Sequence, residues 1–163
     1  MMPTSIDRWW PLALALAIGL VIAAAPLPGG LSAWRPDLVL LVVIYSAIHQ
    51  PDRFIISAAL ISGLLLDAQH ATPLGQYAFA HVVAVYLPLK LHQRMQLVPV
   101  WQSTLSVILF TALGQFVLFW CNGATGNDLG AGAYLKPLVA NALVWAPLML
   151  ALDTLRHGRP QKT

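Results

Sequence analysis

Residues 99–121, PVWQSTLSVILFTALGQFVLFWC, form the longest uncharged apolar run in a chain of 163 residues. A bilayer's hydrocarbon core is about 30 Å thick and accepts a helix of roughly 17–25 apolar residues, so this run is long enough to cross it. Five further segments read the same way: 9–25, 36–49, 54–67, 73–91 and 134–152. Composition agrees. Only 9% of residues are charged (nine Lys or Arg, six Asp, no Glu), against about 25% in a soluble domain, while 58% are hydrophobic. The mean hydropathy is +0.71. Too few polar groups exist to coat a water-facing globule, which argues against a soluble enzyme, a disordered chain or a coiled coil. The expected fold class is all-α: a polytopic membrane protein with a six-helix transmembrane bundle, occupying 1–163 as a single transmembrane domain.

Segments 36–49 and 54–67 are short. They are either tilted spans or the arms of a re-entrant hairpin with Asp52 and Arg53 at its tip. Burying that tip is costly unless protein or water surrounds it, so two spans are favoured. The basic residues then set the orientation. With a cytoplasmic N-terminus, Arg8, Arg53, Lys90, Arg94, Arg156, Arg159 and Lys162 lie inside, and Arg35 and Lys136 outside. Trp9, Trp10, Trp34, Trp101 and Trp120 fall near span ends, where amphipathic rings settle at headgroups; Trp145 lies deeper. The first segment resembles a signal peptide in its Arg8 flank and Ala23-Ala24-Ala25 site. Its apolar run exceeds the usual 7–15 residues, and Pro26 would follow the cut, so retention as a span is expected. The net charge of +3 is read as membrane orientation rather than nucleic-acid binding.

Chemistry has little to work with. There is no HExxH, no GxSxG and no P-loop, and the single cysteine, Cys121, excludes an internal disulfide or a Cys-based metal cage. The five histidines show no i, i+4 pairing. Neither catalysis nor a cofactor is expected. Five of the six Asp fall at span ends or in loops; the sixth, Asp67, ends the third segment near the outer interface. Three readings stay open for it: a solvated span end, a structural ion pair with Arg35, or a ligand or proton site. Thr72 is expected to N-cap the fourth helix, with Pro73 at its first position. Ala59, Gly63 and Asp67 share one helix face, a small-residue stripe that lets another backbone approach, more commonly one from the same chain. Polar positions at Thr104, Thr111 and Gln115, at Asn141, and at His81 are either interhelical hydrogen-bond partners or the lining of a carrier's cavity around Asp67, His81 and Asn141. A carrier usually shows broken helices and an internal repeat, and neither is evident here.

Trp34-Arg35-Pro36-Asp37 followed by Leu38–Tyr45 resembles the RP-x-hydrophobic-Tyr block of the MreD family of rod shape-determining membrane proteins. Gly63-Leu64-Leu65-Leu66-Asp67 followed by Leu74-Gly75 resembles that family's G-x-x-x-D…LG block. The resemblance covers essentially the whole chain. It implies a non-enzymatic scaffold subunit of the bacterial cell-elongation complex in the inner membrane, both termini cytoplasmic, supporting lateral peptidoglycan synthesis and rod shape. It implies MreC as direct partner, with MreB, RodZ, RodA and a class B penicillin-binding transpeptidase further out, and no nucleic acid. It further implies a fold similar to the substrate-binding subunits of energy-coupling-factor transporters, which makes a small-molecule or lipid carrier the alternative function. The matched residues are Arg35, Pro36, Asp37, Gly63, Asp67 and Gly75, with structural or interaction roles. Pro36 suits a first helical turn. Arg35 and Asp67 are expected to hold the outer ends of helices two and three in register, and Gly63 to permit close packing.

Overall fold

Pro26 and Pro28, which lack backbone N–H donors, end the first helix and start a linker. The computed structural model describes residues 5–26, 28–52, 54–126, 130 and 132–157. They form α1 (Ser5–Ala24), a short 3-10 helix (Gly29–Trp34), α2 (Leu38–His49), α3 (Phe54–His70), α4 (Gln76–Met95), α5 (Val100–Ala124) and α6 (Gly132–His157). No strand occurs among the described residues. Of the basic residues used for orientation, Arg53, Arg159 and Lys162 lie outside the described residues, as do the side chains of Arg8 and Arg156.

The short second helix is the centre of the molecule. Its sequence from Val39 to Ile48 is apolar on every side apart from Ser46 and the Tyr45 hydroxyl, and every residue of it is buried. A helix apolar all round must be covered all round, and α2 touches each of the other five helices. Ser46 stays dry by donating its hydroxyl to the Val42 carbonyl at 2.9 Å. At about 1.5 Å per residue its 12 residues reach about 18 Å, short of a bilayer core, so its neighbours supply the apolar exterior. Two stretches, Trp101–Ala124 and Gly132–Leu155, are long and apolar enough to cross a membrane alone. Their large apolar side chains point outward, with Leu105, Phe116, Trp120, Leu135 and Leu143 all more than half exposed.

Several helix ends differ from the expected bounds, and at three of them the capping geometry gives the reason. Pro36 sits before α2 rather than in its first turn, because Asp37 is the N-cap: its Oδ1 accepts from the Leu40 N–H at 2.9 Å. α3 continues past Asp67 to His70 and closes with Ala71 in the left-handed region (φ 51°) and the Thr72 N–H donating to the Asp67 carbonyl at 3.2 Å. This is the six-to-one bond of a Schellman cap. α4 begins at Gln76, so neither Thr72 nor Pro73 starts it; the N-cap position is Gly75, whose φ of 100° suits a residue without Cβ.

Candidate functional site

The first four N–H groups of any helix lack intrahelical acceptors. Gly75, at the N-cap of α4, has no side chain to offer one, and Asp67 fills the deficit from the last turn of α3. Its Oδ1 accepts from the Tyr77 N–H at 2.8 Å and the Thr72 hydroxyl at 3.0 Å. Its Oδ2 accepts from the Gly75 N–H at 2.8 Å and, more weakly, the Ala78 N–H at 3.4 Å. The carboxylate therefore lies at the positive end of the α4 dipole, where negative charge is favoured. It is 0% exposed.

One turn below, Gly63 lets the two helices meet. A Cβ built on Gly63 would lie 2.3 Å from the Ala78 Cα and 2.6 Å from its N. Only a hydrogen fits there. Gly63, Asp67 and Gly75 thus act together, as the close contact, the capping acceptor and the turn that aims the capped amides. They make α3 and α4 the most extensive helix pair in the chain. The small-residue stripe meets α4 of the same chain, as the commoner reading anticipates.

A second junction forms around Asp37. Besides capping α2, its carboxylate Oδ2 lies 3.0 Å from Nε2 of His81 in α4, and its backbone N–H donates to Oδ1 of Asn141 in α6 at 2.7 Å. One residue thereby links the start of α2 to the middle of two other helices. His81 is 1% exposed and Asn141 0%. The contact sits in a low-dielectric interior, where a bonded polar atom costs least, while Nδ1 of His81 and Nδ2 of Asn141 are buried there with no hydrogen-bond partner among the described residues.

Arg35 has a different task from the one expected. Its two terminal nitrogens donate to the carbonyls of Ala23 and Ala25 at the end of α1. This is a cation on a helix C-terminus, favoured by the dipole. It makes no ion pair with Asp67, whose oxygens are taken by α4. The expectation that these two residues hold α2 and α3 together through one another is corrected: Arg35 ties α1 to the linker, and Asp67 ties α3 to α4. The solvated reading of Asp67 falls with its burial.

The cavity expected around Asp67, His81 and Asn141 is also corrected. A cavity of about 270 Å³ exists, but none of the three lines it. Its walls come from the end of the bundle where α1, α3 and α5 finish and α2, α4 and α6 begin, and include Arg35, Pro36, Asp37, His70, Tyr77 and Gln115. Thr111 turns inward onto its own helix, donating to the Val107 carbonyl at 2.9 Å.

Sequence reading missed the opposite end of the bundle. The Tyr45 hydroxyl donates to Oδ1 of Asp153 in α6, and Gln96 donates its amide to the Ile48 carbonyl at 2.7 Å, satisfying the end of α2. The signal for the first was present: a tyrosine in an otherwise apolar helix needs a partner for its hydroxyl. Among the described residues no group of three or more metal-binding side chains converges.

Polar side chains that tie helix ends together, inside a shell of outward-facing apolar side chains, define a helical membrane protein. The family model described as rod shape-determining protein MreD matches residues 4–154, and the chain belongs to that family. It is similar to the rod shape-determining protein MreD of Haemophilus influenzae, 22% identical over 152 residues that cover 93% of this chain and 94% of that protein. No solved structure matches the chain. Membership places it in rod shape determination.

Proposed function

We propose that the chain is a six-span scaffold of the cell-elongation complex in the bacterial inner membrane, a single transmembrane domain with both termini cytoplasmic, holding MreC by lateral helix–helix recognition. MreB, RodZ, RodA and a class B penicillin-binding transpeptidase belong to the wider assembly, whose output is lateral peptidoglycan synthesis. The observation that supports this reading is the disposition of polar groups. Asp37, Asp67, His81, Asn141 and Arg35 bond helices to one another, and the large side chains that face outward along the middle of α5 and α6 are apolar. Such a molecule works through its membrane faces, presenting a rigid surface on which a partner's span docks by van der Waals packing.

The test is copurification from membranes of rod-shaped cells in mild detergent. Tagged chain is expected to recover MreC in stoichiometric amount. Asp67→Ala is expected to lower the yield of chain and partner together, because it loosens α3 from α4. Recovery of well-folded wild-type chain without MreC overturns the reading.

A further inference from the structure

Arg35 carries a positive charge that its neighbours do not balance. Its guanidinium meets only neutral acceptors, the Ala23 and Ala25 carbonyls, and its buried Nε–H has no hydrogen-bond partner. Asp37, two residues on, is placed differently. Its carboxylate accepts from the Leu40 N–H at 2.9 Å and lies 3.0 Å from Nε2 of His81. Each group also sits at a helix end of opposite sign, equivalent to about half a unit charge: Arg35 at the C-terminus of α1, Asp37 at the N-terminus of α2. That contribution is alike for both, so the extra partner makes the difference. The carboxylate has an imidazole beside it, and the guanidinium has no ionisable group.

Both residues line the cavity of about 270 Å³ at this end of the bundle. Asp67 does not line it, and its two oxygens are held by the amides opening α4. Donors accompany Arg35 in the wall. The Tyr134 hydroxyl accepts the Asn122 amide N–H at 3.0 Å, and a phenol that accepts one bond still has its own proton to donate. α6 begins beside the cavity, bringing Ala133 and Tyr134 of its first turn into the lining, and a helix N-terminus favours negative charge. A guanidinium fork, a hydroxyl and a helix N-terminus together suit an oxyanion.

Size and place narrow which oxyanion. The volume equals about nine waters at about 30 Å³ each. A bare phosphate or carboxylate fills only part of that, so a small polar group attached to it has room. Trp34, beside Arg35, and Trp120, close to the end of α5, are exposed on the same end of the bundle. Exposed indoles settle at the headgroup level of a bilayer, where phosphate esters are the abundant oxyanions.

We propose that this cavity binds the phosphate group of a small polar ester, with Arg35 as its counter-charge and the Tyr134 hydroxyl as a second donor. That chemistry is shared by a phospholipid headgroup entering from the membrane and a soluble phosphate ester entering from water. The site is independent of the scaffold reading, since a partner's span docks on the outer helix faces whether or not the cavity is filled.

The experiment uses the purified full chain in uncharged maltoside micelles. Dioctanoylphosphatidylglycerol is the lipid probe, glycerol 3-phosphate the soluble one, and dioctanoylglycerol the control without phosphate. Native mass spectrometry counts bound molecules, and thermal shift follows stabilisation. One equivalent of a phosphate probe is expected to bind saturably, at least tenfold more tightly than dioctanoylglycerol. Binding of the lipid alone places the source in the membrane, and binding of glycerol 3-phosphate alone places it in solution; either supports the site. Arg35→Gln is expected to weaken binding at least tenfold, and Arg35→Lys less, because an ammonium keeps the charge but loses the fork. Lys136→Gln removes an exposed cation outside the cavity lining and is expected to leave binding unchanged. Circular dichroism and elution volume report folding. If Arg35→Gln does not fold, Ala133→Trp, which narrows the cavity from the first turn of α6, decides by abolishing binding. No saturable phosphate binding, equal binding of dioctanoylglycerol, or undiminished binding by a folded Arg35→Gln or Ala133→Trp chain overturns the proposal. So does an equal loss in Lys136→Gln, which would make the contact a peripheral attraction between headgroup and surface charge. Each outcome is read on the chain alone, so the copurification of MreC stands or falls separately.

Discussion

Oδ2 of Asp67 accepts the Gly75 N–H at 2.8 Å, so the last turn of α3 supplies the acceptor that the first turn of α4 lacks. The carboxylate is a cap delivered from a neighbouring helix. Removing it strands the N–H groups of Gly75 and Tyr77. A buried donor left unsatisfied costs about 1–3 kcal/mol, so Asp67→Ala is expected to destabilise by about 2–4 kcal/mol. Asp67→Asn keeps one acceptor oxygen and is expected to lose about half as much. Thermal unfolding in detergent measures both; an Asp67→Ala chain as stable as wild type refutes the capping role.

Gly63→Ala places a methyl against the Ala78 backbone, 2.3 Å from its Cα. Overpacking of this kind costs about 1–3 kcal/mol or more, since a backbone yields less readily than a side chain. Because the clash involves Cα and N, the second-site change Ala78→Gly is expected to give no rescue. Comparing the melting temperatures of the single and double variants checks this; recovery in the double variant would place the conflict at the Ala78 side chain instead.

Ala71 closes α3 in the left-handed region at φ 51°, where a Cβ is unfavourable and glycine is the usual occupant. Ala71→Gly is expected to raise stability by about 0.5–1 kcal/mol, after allowing for glycine's extra freedom when unfolded. The opposite holds at Gly75, with φ 100° and nothing within 4 Å of an added Cβ. There Gly75→Ala is expected to cost about 1–2 kcal/mol through backbone strain alone. Chemical or thermal denaturation of the two variants gives the signs directly, and equal signs would contradict the geometry.

Asp37 and His81 approach to 3.0 Å in a setting where His81 has 1% exposure. Removing one partner of a buried charge-capable pair costs about 3–5 kcal/mol, largely because the other is left uncompensated. Asp37→Ala and His81→Ala are therefore each expected to be severe. The double variant is expected to cost less than their sum by about 1–3 kcal/mol, the coupling typical of contacting residues. Additive losses in a double-mutant cycle would show that the two residues act separately.

Much of this architecture was legible in the chain itself. Apolar runs at helical length, broken by Pro26, Pro28 and the Gln50–Asp52 turn, mark where helices stand, because backbone in an apolar medium must bond within its own segment. The spacing of Ala59, Gly63 and Asp67 marks a close-packed face, because small residues recurring every four positions leave a groove whatever fills it. Scarcity of charge marks the membrane class. It also singles out Asp67, the one Asp that strays towards the membrane, and leaves three readings of it open.

Which partners the charged residues take was decided only in three dimensions. Arg35 and Asp67 are opposite in sign and near in topology, which suggests a pair on paper. In the fold each finds backbone first: Asp67 the amides opening α4 within eleven residues along the chain, Arg35 the carbonyls closing α1 within twelve. The same holds for α2. Its sequence says that it is apolar all round, but only its packing against all five other helices makes it the axis of the molecule. Composition fixes how many polar groups must be satisfied and local pattern fixes the helices that carry them. The choice among satisfying partners depends on distances across turns and between helices, and those exist only once the chain is folded.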